Sequence, residues 1–149
     1  MKTMNAPFDE PVRGAPDECR PWRYAAKFRK RIYVVSRYAG NVRANTEAAV
    51  WYCRYVVDCG FLPVASHLLY PQILDDSDPE QRTLGMMFGL SLLRVCDEVW
   101  VFAPPFTWVI SPGMAEEIRE AQRLNLPLRW FDIDLTEISS DTVCTLLGG

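Results

Sequence analysis

The chain has 149 residues, of which 49% are hydrophobic and 23% are charged, and its formal net charge is −3. This length suffices for one domain with a substantial core, and the composition is that of an ordinary globular protein. The acidic balance argues against a binder of polymeric nucleic acid or of membrane surfaces. No apolar run approaches the roughly 18 residues of a membrane-spanning helix. We therefore expect a cytoplasmic protein.

The cysteines indicate a reducing compartment. Their number is odd and no two have CxxC spacing, which favours neither disulfides nor a metal site, and the sequence predicts no cofactor. The five are Cys19, Cys53, Cys59, Cys96 and Cys144.

The beginning of the chain differs in composition from the rest. Residues 1–20 are rich in proline, glycine and charge, and basic residues cluster after them, as either a solvated arm or the flank of a strand. The cluster comprises Arg20, Arg23, Lys27, Arg29, Lys30 and Arg31. We expect residues 1–30 to form a flexible or loosely docked arm and 31–149 to form a single domain.

After the arm, short β-branched runs alternate with stretches of helical periodicity. Strands are predicted at residues 32–36, 61–66, 98–103 and 127–131. Helices are predicted at 45–59, from Asp78 through 84–95, and from Ser111 onward, with a weaker one between 135 and 147. Gly60 ends the first helix, and Pro79 and Pro112 suit first helical positions.

This alternation predicts an α/β fold, a flavodoxin- or Rossmann-like three-layer sandwich. Its parallel sheet has four to five strands in the order 2-1-3-4. In such sheets a ligand binds beyond the carboxyl ends of the strands, where the strand order reverses. The loops at residues 36–45 and 103–113 meet there, between strands one and three.

The helix that Ser111 opens carries the candidate reactive group. Met114, Ile118 and Ala121 recur on one apolar stripe with Leu124 and Asn125, and Glu117 falls within that stripe. A carboxylate in this position needs a partner or a catalytic task, and desolvation raises its pKa toward the range of an acid, base or nucleophile. The alternative is that Glu117 lies at the edge of the stripe and pairs with a neighbouring arginine.

The start of the same helix is a candidate anion site. Its free N–H groups attract negative charge, Gly113 permits close approach, and Ser111 either contacts a ligand or serves only as the N-cap. The loop after the first strand offers groups for phosphate and sugar hydroxyls. These are Ser36, Arg37, Tyr38, Gly40 and Arg43.

Three further features have two interpretations each. His67 is the only histidine and is either structural or part of the site. Trp108 either stacks on a base or is an ordinary exposed aromatic. Gly85 and Gly89 form a small-residue notch that packs against another helix, either within an ordinary buried core or from a second subunit.

The stretch from Ser111-Pro112-Gly113-Met114 through Glu117-Ile118, followed by Ala121 and Leu124-Asn125-Leu126-Pro127, resembles the nucleoside 2-deoxyribosyltransferase superfamily. That superfamily includes 2'-deoxynucleoside 5'-monophosphate N-hydrolases. Residues 33–131 resemble an uncharacterised bacterial and phage branch in particular. The segments that carry this likeness are Tyr38-Ala39-Gly40, Pro63, His67-Leu68-Leu69-Tyr70-Pro71 and Cys96 to Phe102.

The resemblance implies a function and a set of site residues. Glu117 matches the nucleophile that attacks the anomeric carbon, Ser111 a serine that contacts the 5'-phosphate, and Gly113 the glycine of close approach. Tyr33 and His67 match further pocket residues, and 36–43 match the ribose and phosphate loop. The implied partners are a small nucleoside or nucleotide and a second subunit of a homodimer or larger homo-oligomer.

One position departs from the family pattern. The family places an aspartate eight residues before the one that precedes strand three, and counting back from Asp97 reaches Gly89. The leaving base then lacks its usual carboxylate unless Asp75, Asp76 or Glu80 supplies one. We expect an N-glycosidic hydrolase or transferase for a nucleoside 5'-phosphate or related nucleotide. The alternatives are a catalytically silent nucleotide-binding protein, as a sensor or sponge, and a structural or protein-interaction role.

Overall fold

The structure, a computed structural model, describes residues 29–102 and 110–146, with side chains through Val143. These residues form five strands: β1 Arg31–Val35, β2 Leu62–Val64, β3 Glu98–Phe102, β4 Leu128–Phe131 and β5 Glu137–Ile138. The same part of the chain contains four α-helices: α1 Val42–Asp58, α2 Pro79–Leu93, α3 Pro112–Arg123 and α4 Ser140–Leu146. Two short 3₁₀ turns, Ser66–Leu68 and Tyr70–Gln72, connect β2 to α2.

The strands form one sheet in the order β2-β1-β3-β4-β5. The first four are parallel, with Tyr33 opposite Val64 on one side and Val99 on the other, and β5 is antiparallel to β4. The α/β fold and the order of the predicted strands are confirmed. β5 was not predicted, because two residues are too few to show an alternating pattern.

Alternating side chains of the central strands enter two separate cores, one on each face of the sheet. The α1 face is strongly aromatic, with Trp100, Phe102 and Phe131 packed against Tyr55. The opposite face is covered by α2 and α3 and includes Tyr33, Val35, Val99, Val101, Leu93, Met114, Ile118 and Ala121. Tyr33 therefore reaches the helix layer in which Glu117 lies.

The boundaries of several elements differ from the predictions. The helix α1 begins three residues before the predicted position, because the Asn41 side chain accepts a hydrogen bond from the Ala44 amide and caps the helix there. β2 is shorter than predicted, since the chain turns into a 3₁₀ helix at Ser66. The α3 stripe ends at Leu124, and Asn125 is exposed at φ 54°, where it terminates the helix instead of packing.

Three residues of the basic cluster are described, and they lie at the start of β1. Of the two interpretations, a solvated arm or the flank of a strand, the second applies to these three residues. Arg29 donates to the Gly60 carbonyl, Lys30 pairs with Glu98, and the Arg31 guanidinium bonds to Asp97. Arg20, Arg23 and Lys27 lie outside the described residues, as does most of the predicted arm.

Three cysteines have described side chains, Cys53, Cys59 and Cys96, and all are free thiols. Burial raises the pKa of Cys53 to about 12 and that of Cys96 to about 11, so both stay protonated and weakly nucleophilic at neutral pH. The side chains of Cys19 and Cys144 are outside the described part. Within the same part, no helix is both long and apolar enough to cross a bilayer.

Candidate active site

A cleft of about 280 Å³ opens at the carboxyl end of β1, beside the start of α3. The loop after β1 contributes Ser36, Tyr38 and Ala39 to its lining, and α3 contributes Ser111 to Met114 with Glu116 and Glu117. The 3₁₀ turns and α2 complete the wall with residues that include Ser66, His67, Tyr70, Asp76, Arg82, Gly85, Met86 and Gly89. Ligands of parallel α/β sheets bind at this place in the fold.

Glu117 lies in this cleft and is bonded to the centre of the sheet. The fully buried Tyr33 donates its hydroxyl hydrogen to Glu117 Oε1 at 2.7 Å, and its oxygen lies 2.8 Å from Ser66 Oγ. The neighbouring arginines of α3 pair elsewhere, Arg119 with Glu116 and Arg123 with Glu120. In the described residues, the partner of Glu117 is thus a tyrosine rather than an arginine.

The surroundings of Glu117 favour its neutral form. Desolvation raises the pKa of the carboxyl from its ordinary 4.5 to about 7, while the hydrogen bond from Tyr33 opposes the shift. The pKa of Tyr33 is raised well above its ordinary value, chiefly by burial and also by the charge of Glu117. Tyr33 therefore remains a hydrogen-bond donor, and Glu117 titrates near neutrality, as a reactive carboxylate requires.

His67 and Ser36 form a second polar pair in the cleft. The Ser36 hydroxyl lies 3.1 Å from His67 Nε2, and the Tyr38 ring packs at 6.0 Å from the imidazole. Burial lowers the pKa of His67 to about 4, so the ring is neutral at physiological pH. This pair offers neutral donors and acceptors to a ligand rather than a positive charge.

The first turn of α3 combines capping with access to the cleft. Ser111 Oγ accepts a hydrogen bond from the Met114 amide at 3.3 Å, so Ser111 is an N-cap and also lines the cleft. Among the described residues, no atom beyond the chain neighbours and the backbone of α3 lies within 4 Å of the place where Gly113 would carry a β-carbon. Pro112 has no N–H, and the Ala115 amide bonds to the Ser111 carbonyl. Among the described residues this leaves the Gly113 amide as the donor of the first turn that an anion could reach.

Not every predicted ligand contact lies at the cleft. Because α1 begins at Val42, Arg43 is in its first turn, where the side chain is 91% exposed and pairs with Glu47. Arg37 is also exposed, and neither it nor Gly40 contributes to the lining. Gly40 instead provides a backbone conformation with φ +98° that most residues adopt only at a cost. Trp108 lies outside the described residues.

The notch on α2 is occupied by residues of this domain. Gly85 faces Leu74 and Tyr70, whereas Gly89 faces Ser66 and the Tyr33 hydroxyl, so in the described chain the notch packs against a loop and a strand rather than a helix. In the single chain described, α2 is only partly buried, with Gly89 and Leu93 as its buried residues. Its exposed apolar residues are Leu84, Met86, Met87 and Phe88.

Among the acidic residues before and at the start of α2, only Asp76 lines the cleft. Asp75 accepts hydrogen bonds from Ser77, and Asp78 caps α2 by accepting from Glu80 N. Glu80 is exposed in the first helical turn. Of the three acidic residues named as substitutes for the missing aspartate, Asp76 is therefore the one in position.

Ser66 was missed by sequence reasoning. It follows the end of β2 directly before His67, so the strand-end argument that selected His67 also applied to its neighbour. Within residues 29–102 and 110–143, no three His, Cys, Asp or Glu side chains converge as a metal ion would require. The assembled groups are suited to binding a polar organic molecule and to chemistry at one carboxylate.

The fold is that of the nucleoside deoxyribosyltransferases. A solved 2-deoxyribosyltransferase from the psychrotolerant bacterium Bacillus psychrosaccharolyticus matches with a TM-score of 0.59, over 77% of this chain and 80% of that chain, at 16% sequence identity. Residues 30–131 match the family described as a domain of unknown function, DUF7768, and the chain belongs to this family. No curated protein matches the sequence.

The raised pKa of Glu117 predicts a pH-dependent loss of stability. Between pH 4.5 and 7 the folded protein retains a proton that the unfolded chain has released, so its stability falls as the pH rises. Glu117→Gln should remove this slope. The difference between the unfolding free energies of the variant and of wild type should change in favour of the variant as the pH rises from 4.5 to 7.5. The change should be at most about 3 kcal/mol, because part of the carboxyl faces water. Urea unfolding across this range measures the effect.

The pKa of His67 has the opposite effect on stability. Because the unfolded chain binds a proton near pH 6.5 that the folded protein binds only near pH 4, stability decreases as the pH falls through this window. In wild type the two slopes partly cancel, so His67→Gln should reveal the Glu117 slope between pH 4.5 and 6.5. A Glu117→Gln variant whose stability parallels wild type at every pH would contradict the shifted carboxyl.

Proposed function

We propose that the protein cleaves or transfers the N-glycosidic bond of a nucleoside 5'-phosphate or related nucleotide, with Glu117 as its nucleophile. The observation that carries this proposal is the Glu117 carboxyl itself. It lines a cleft at the carboxyl end of a parallel sheet, has a pKa near 7 and is oriented by the buried Tyr33 hydroxyl. The likeness of the fold to a 2-deoxyribosyltransferase supports the choice of reaction.

The proposed reaction has two displacements. A Glu117 oxygen attacks C1' of the sugar, the bond from C1' to the base nitrogen breaks, and the electron pair of that bond leaves with the base. The departing nitrogen takes a proton from water or from a protonated group at the cleft. Water then attacks C1', the bond from C1' to the Glu117 oxygen breaks, and the sugar 5-phosphate is released with loss of a proton from the water. In a transferase the nitrogen of a second base attacks C1' instead, which releases Glu117 and yields a new nucleotide.

Tyr33 has a defined role in both displacements. Its hydroxyl donates to one Glu117 oxygen and leaves the other free to attack. The same donor stabilises the carboxylate when it is released from the intermediate. Since Tyr33 is fully buried in the sheet, this donor needs no rearrangement when a substrate binds.

The phosphate is proposed to bind at the start of α3. The Ser111 hydroxyl, the Gly113 amide and the Ser36–His67 pair supply hydroxyl, N–H and imidazole groups there. Backbone amides at a helix start hold phosphate without a cationic side chain. This agrees with the position of Arg43 away from the cleft, and the structure lends no support to a phosphate role for that residue.

A panel of matched nucleosides and nucleoside 5'-monophosphates tests the proposal. Thermal shift identifies the ligands, and chromatography of the same mixtures detects released base. We expect larger stabilisation by a monophosphate than by its nucleoside, and base release from at least one of them. Absence of base release from every ligand that binds would contradict the enzyme.

Gly89 favours a second candidate, a nucleotide-binding protein without turnover. The space beside its backbone is taken by the Ser66 and Tyr33 hydroxyls, so α2 presents no carboxylate to the leaving base. This candidate predicts tight binding of an intact nucleotide in the same panel. The Asp76→Asn variant distinguishes the two candidates. An enzyme that uses Asp76 loses base release in this variant, whereas a binding protein releases no base in either form and keeps its affinity for the nucleotide.

We also propose that the protein forms a homodimer or larger homo-oligomer, as the family resemblance implies. The exposed Leu84, Met87 and Phe88 of α2 support an interface on this helix, because they recur at helical spacing on its surface. Light scattering after size exclusion determines the mass. A monomer at micromolar concentration would contradict the proposal.

A further inference from the structure

Three groups form one chain of hydrogen bonds: the Ser66 hydroxyl and the Glu117 carboxyl, whose residues line the cleft, and the buried Tyr33 hydroxyl between them. The two contacts measure 2.8 Å and 2.7 Å. A tyrosine hydroxyl has a single hydrogen. When Glu117 is ionised, that hydrogen must point to Glu117, so the hydrogen of the other contact comes from Ser66. The direction of the whole chain is thus fixed by the charge of Glu117.

The absence of a side chain at position 89 makes this arrangement possible. A β-carbon there would lie 3.1 Å from Ser66 Oγ, 3.2 Å from the Tyr33 oxygen and 3.3 Å from Ser66 Cβ. These separations are tighter than ordinary carbon contacts, and the site is buried. A larger residue at 89 would force Ser66 or Tyr33 to shift, so glycine at this position favours the close approach of the two hydroxyls.

We propose that Ser66 is a positioning residue of this site, which donates to Tyr33 and thereby holds the Tyr33 hydroxyl as the donor to Glu117, in space that Gly89 leaves open. The inference rests on the proposed function for the reactive role of Glu117, but the hydrogen-bond chain itself does not depend on it. Ser66 acts on Glu117 through the Tyr33 hydroxyl.

The chemical effect follows from the cooperativity of hydrogen bonds. A hydroxyl that accepts a bond becomes a stronger donor, by about 10–30% in condensed phase. Donation from Ser66 therefore strengthens the bond from Tyr33 to Glu117 and stabilises the ionised carboxylate. Without Ser66, Tyr33 would donate less strongly, and the buried carboxyl would retain its proton to higher pH.

The other titratable groups near the cleft are positioned differently. Apart from the rim tyrosines, the nearby ionisable and charged residues are His67, Asp76, Arg82 and Glu116, with Cys96 in the core beside Tyr33. In the described residues, Tyr33 is the one whose hydrogen bond reaches the Glu117 carboxyl. His67 is neutral at the pH of interest because its pKa lies near 4. A change at Ser66 should thus reach Glu117 through Tyr33.

The test is a pH titration of Glu117 itself. NMR of the side-chain carboxyl carbon, in protein labelled with ¹³C at glutamate, monitors its ionisation. Glu117→Gln assigns the signal. We expect Ser66→Ala to raise the pKa of Glu117 by about half a unit, whereas Ser66→Thr, which keeps the hydroxyl, stays near wild type. Ser66→Cys replaces the threonine variant if that variant does not fold. Ser91→Ala is the matched control, because Ser91 lies exposed on α2 and bonds only to the Met87 carbonyl among the described groups.

A double-mutant cycle separates positioning from a merely structural role. In the Tyr33→Phe background, Ser66→Ala should have no further effect on the titration, since the group between Ser66 and Glu117 is gone. An unchanged Glu117 titration in Ser66→Ala, or an equal shift with and without the Tyr33 hydroxyl, would overturn the proposal. These readouts need no substrate, so failure of the proposed function is recognised separately by absence of turnover in wild type.

Activity provides a second readout where turnover is present. The acidic limb of the kcat/KM profile in Ser66→Ala should move to higher pH with the titration, which corresponds to a roughly threefold loss at pH 6. At pH 9, where Glu117 is ionised both in wild type and in Ser66→Ala, most of that loss should disappear. A loss that is equal at every pH would contradict a role through Glu117.

Discussion

Glu117→Gln is expected to reduce base release by roughly 10⁴-fold or more, the scale of loss that follows removal of an enzyme nucleophile. The amide oxygen of glutamine still accepts a hydrogen bond from Tyr33, and the side chain has nearly the same size. Ligand affinity should therefore change little. Chromatographic detection of base and calorimetric titration of the same nucleotide measure the two effects on one preparation.

Glu116→Gln is the matched control for this variant. Glu116 lies on the same turn of α3 and also lines the cleft, but its side chain is exposed and pairs with Arg119. It should retain most of its activity, which would show that loss of charge on this helix is not itself the cause. Wild-type turnover in Glu117→Gln would disprove the nucleophile, whereas loss of binding in that variant would assign Glu117 to recognition.

Gly89→Asp should destabilise the fold at neutral pH, by about 3 kcal/mol or more, although the family resemblance implies an aspartate at the matching position. Its β-carbon would crowd Ser66 and Tyr33, and its carboxylate would be buried near Glu117 without a cationic partner among the described residues. Urea unfolding at pH 7.5 measures the loss. Ser66→Gly in the same chain should recover part of it by removing two of the three close contacts.

Gly85→Ala is the control from the same helix. Its β-carbon would lie 3.5 Å from a Leu74 methyl, which is an ordinary contact, and alanine is favoured over glycine inside a helix by about 0.5–1 kcal/mol. This variant should be as stable as wild type or more stable. If Gly89→Asp were as stable as wild type, the prediction that a side chain at position 89 crowds Ser66 and Tyr33 would be wrong.

The parts of the fold that depend on local pattern could be predicted from sequence. The β-branched runs placed the central strands, and the Ser-Pro-Gly start placed α3 and with it Glu117, because capping chemistry is local. The strand order followed from the alternation of helices and strands. The boundary of α1 was wrong because either Asn41 or Asn45 suits a helix start, and only the structure shows which one caps.

The parts of the site that depend on tertiary contact could not be predicted in this way. The sequence shows that Gly89 stands where the family pattern has a carboxylate. It does not show that the hydroxyls of Tyr33 in β1 and Ser66 after β2 occupy the space that a side chain at 89 would fill. The partner of Glu117 was likewise open, since an arginine one turn away is as plausible in sequence as a tyrosine 84 positions earlier. The phosphate role of Arg43 follows from the composition of its loop, the position of that loop after strand one and the family resemblance, whereas the early start of α1 directs the side chain to solvent.

The amide of Asn45 determines how the loop after β1 meets a ligand. The Asn45 side-chain nitrogen donates to the carbonyl oxygens of Tyr38 and Ala39, both at 3.0 Å. Gly40, with φ 98°, forms the turn that connects these residues to α1. The loop is thus fastened to the first helix turn before anything binds. Little conformational entropy remains to be lost on association, so encounter should lead to the bound complex without a slow ordering step.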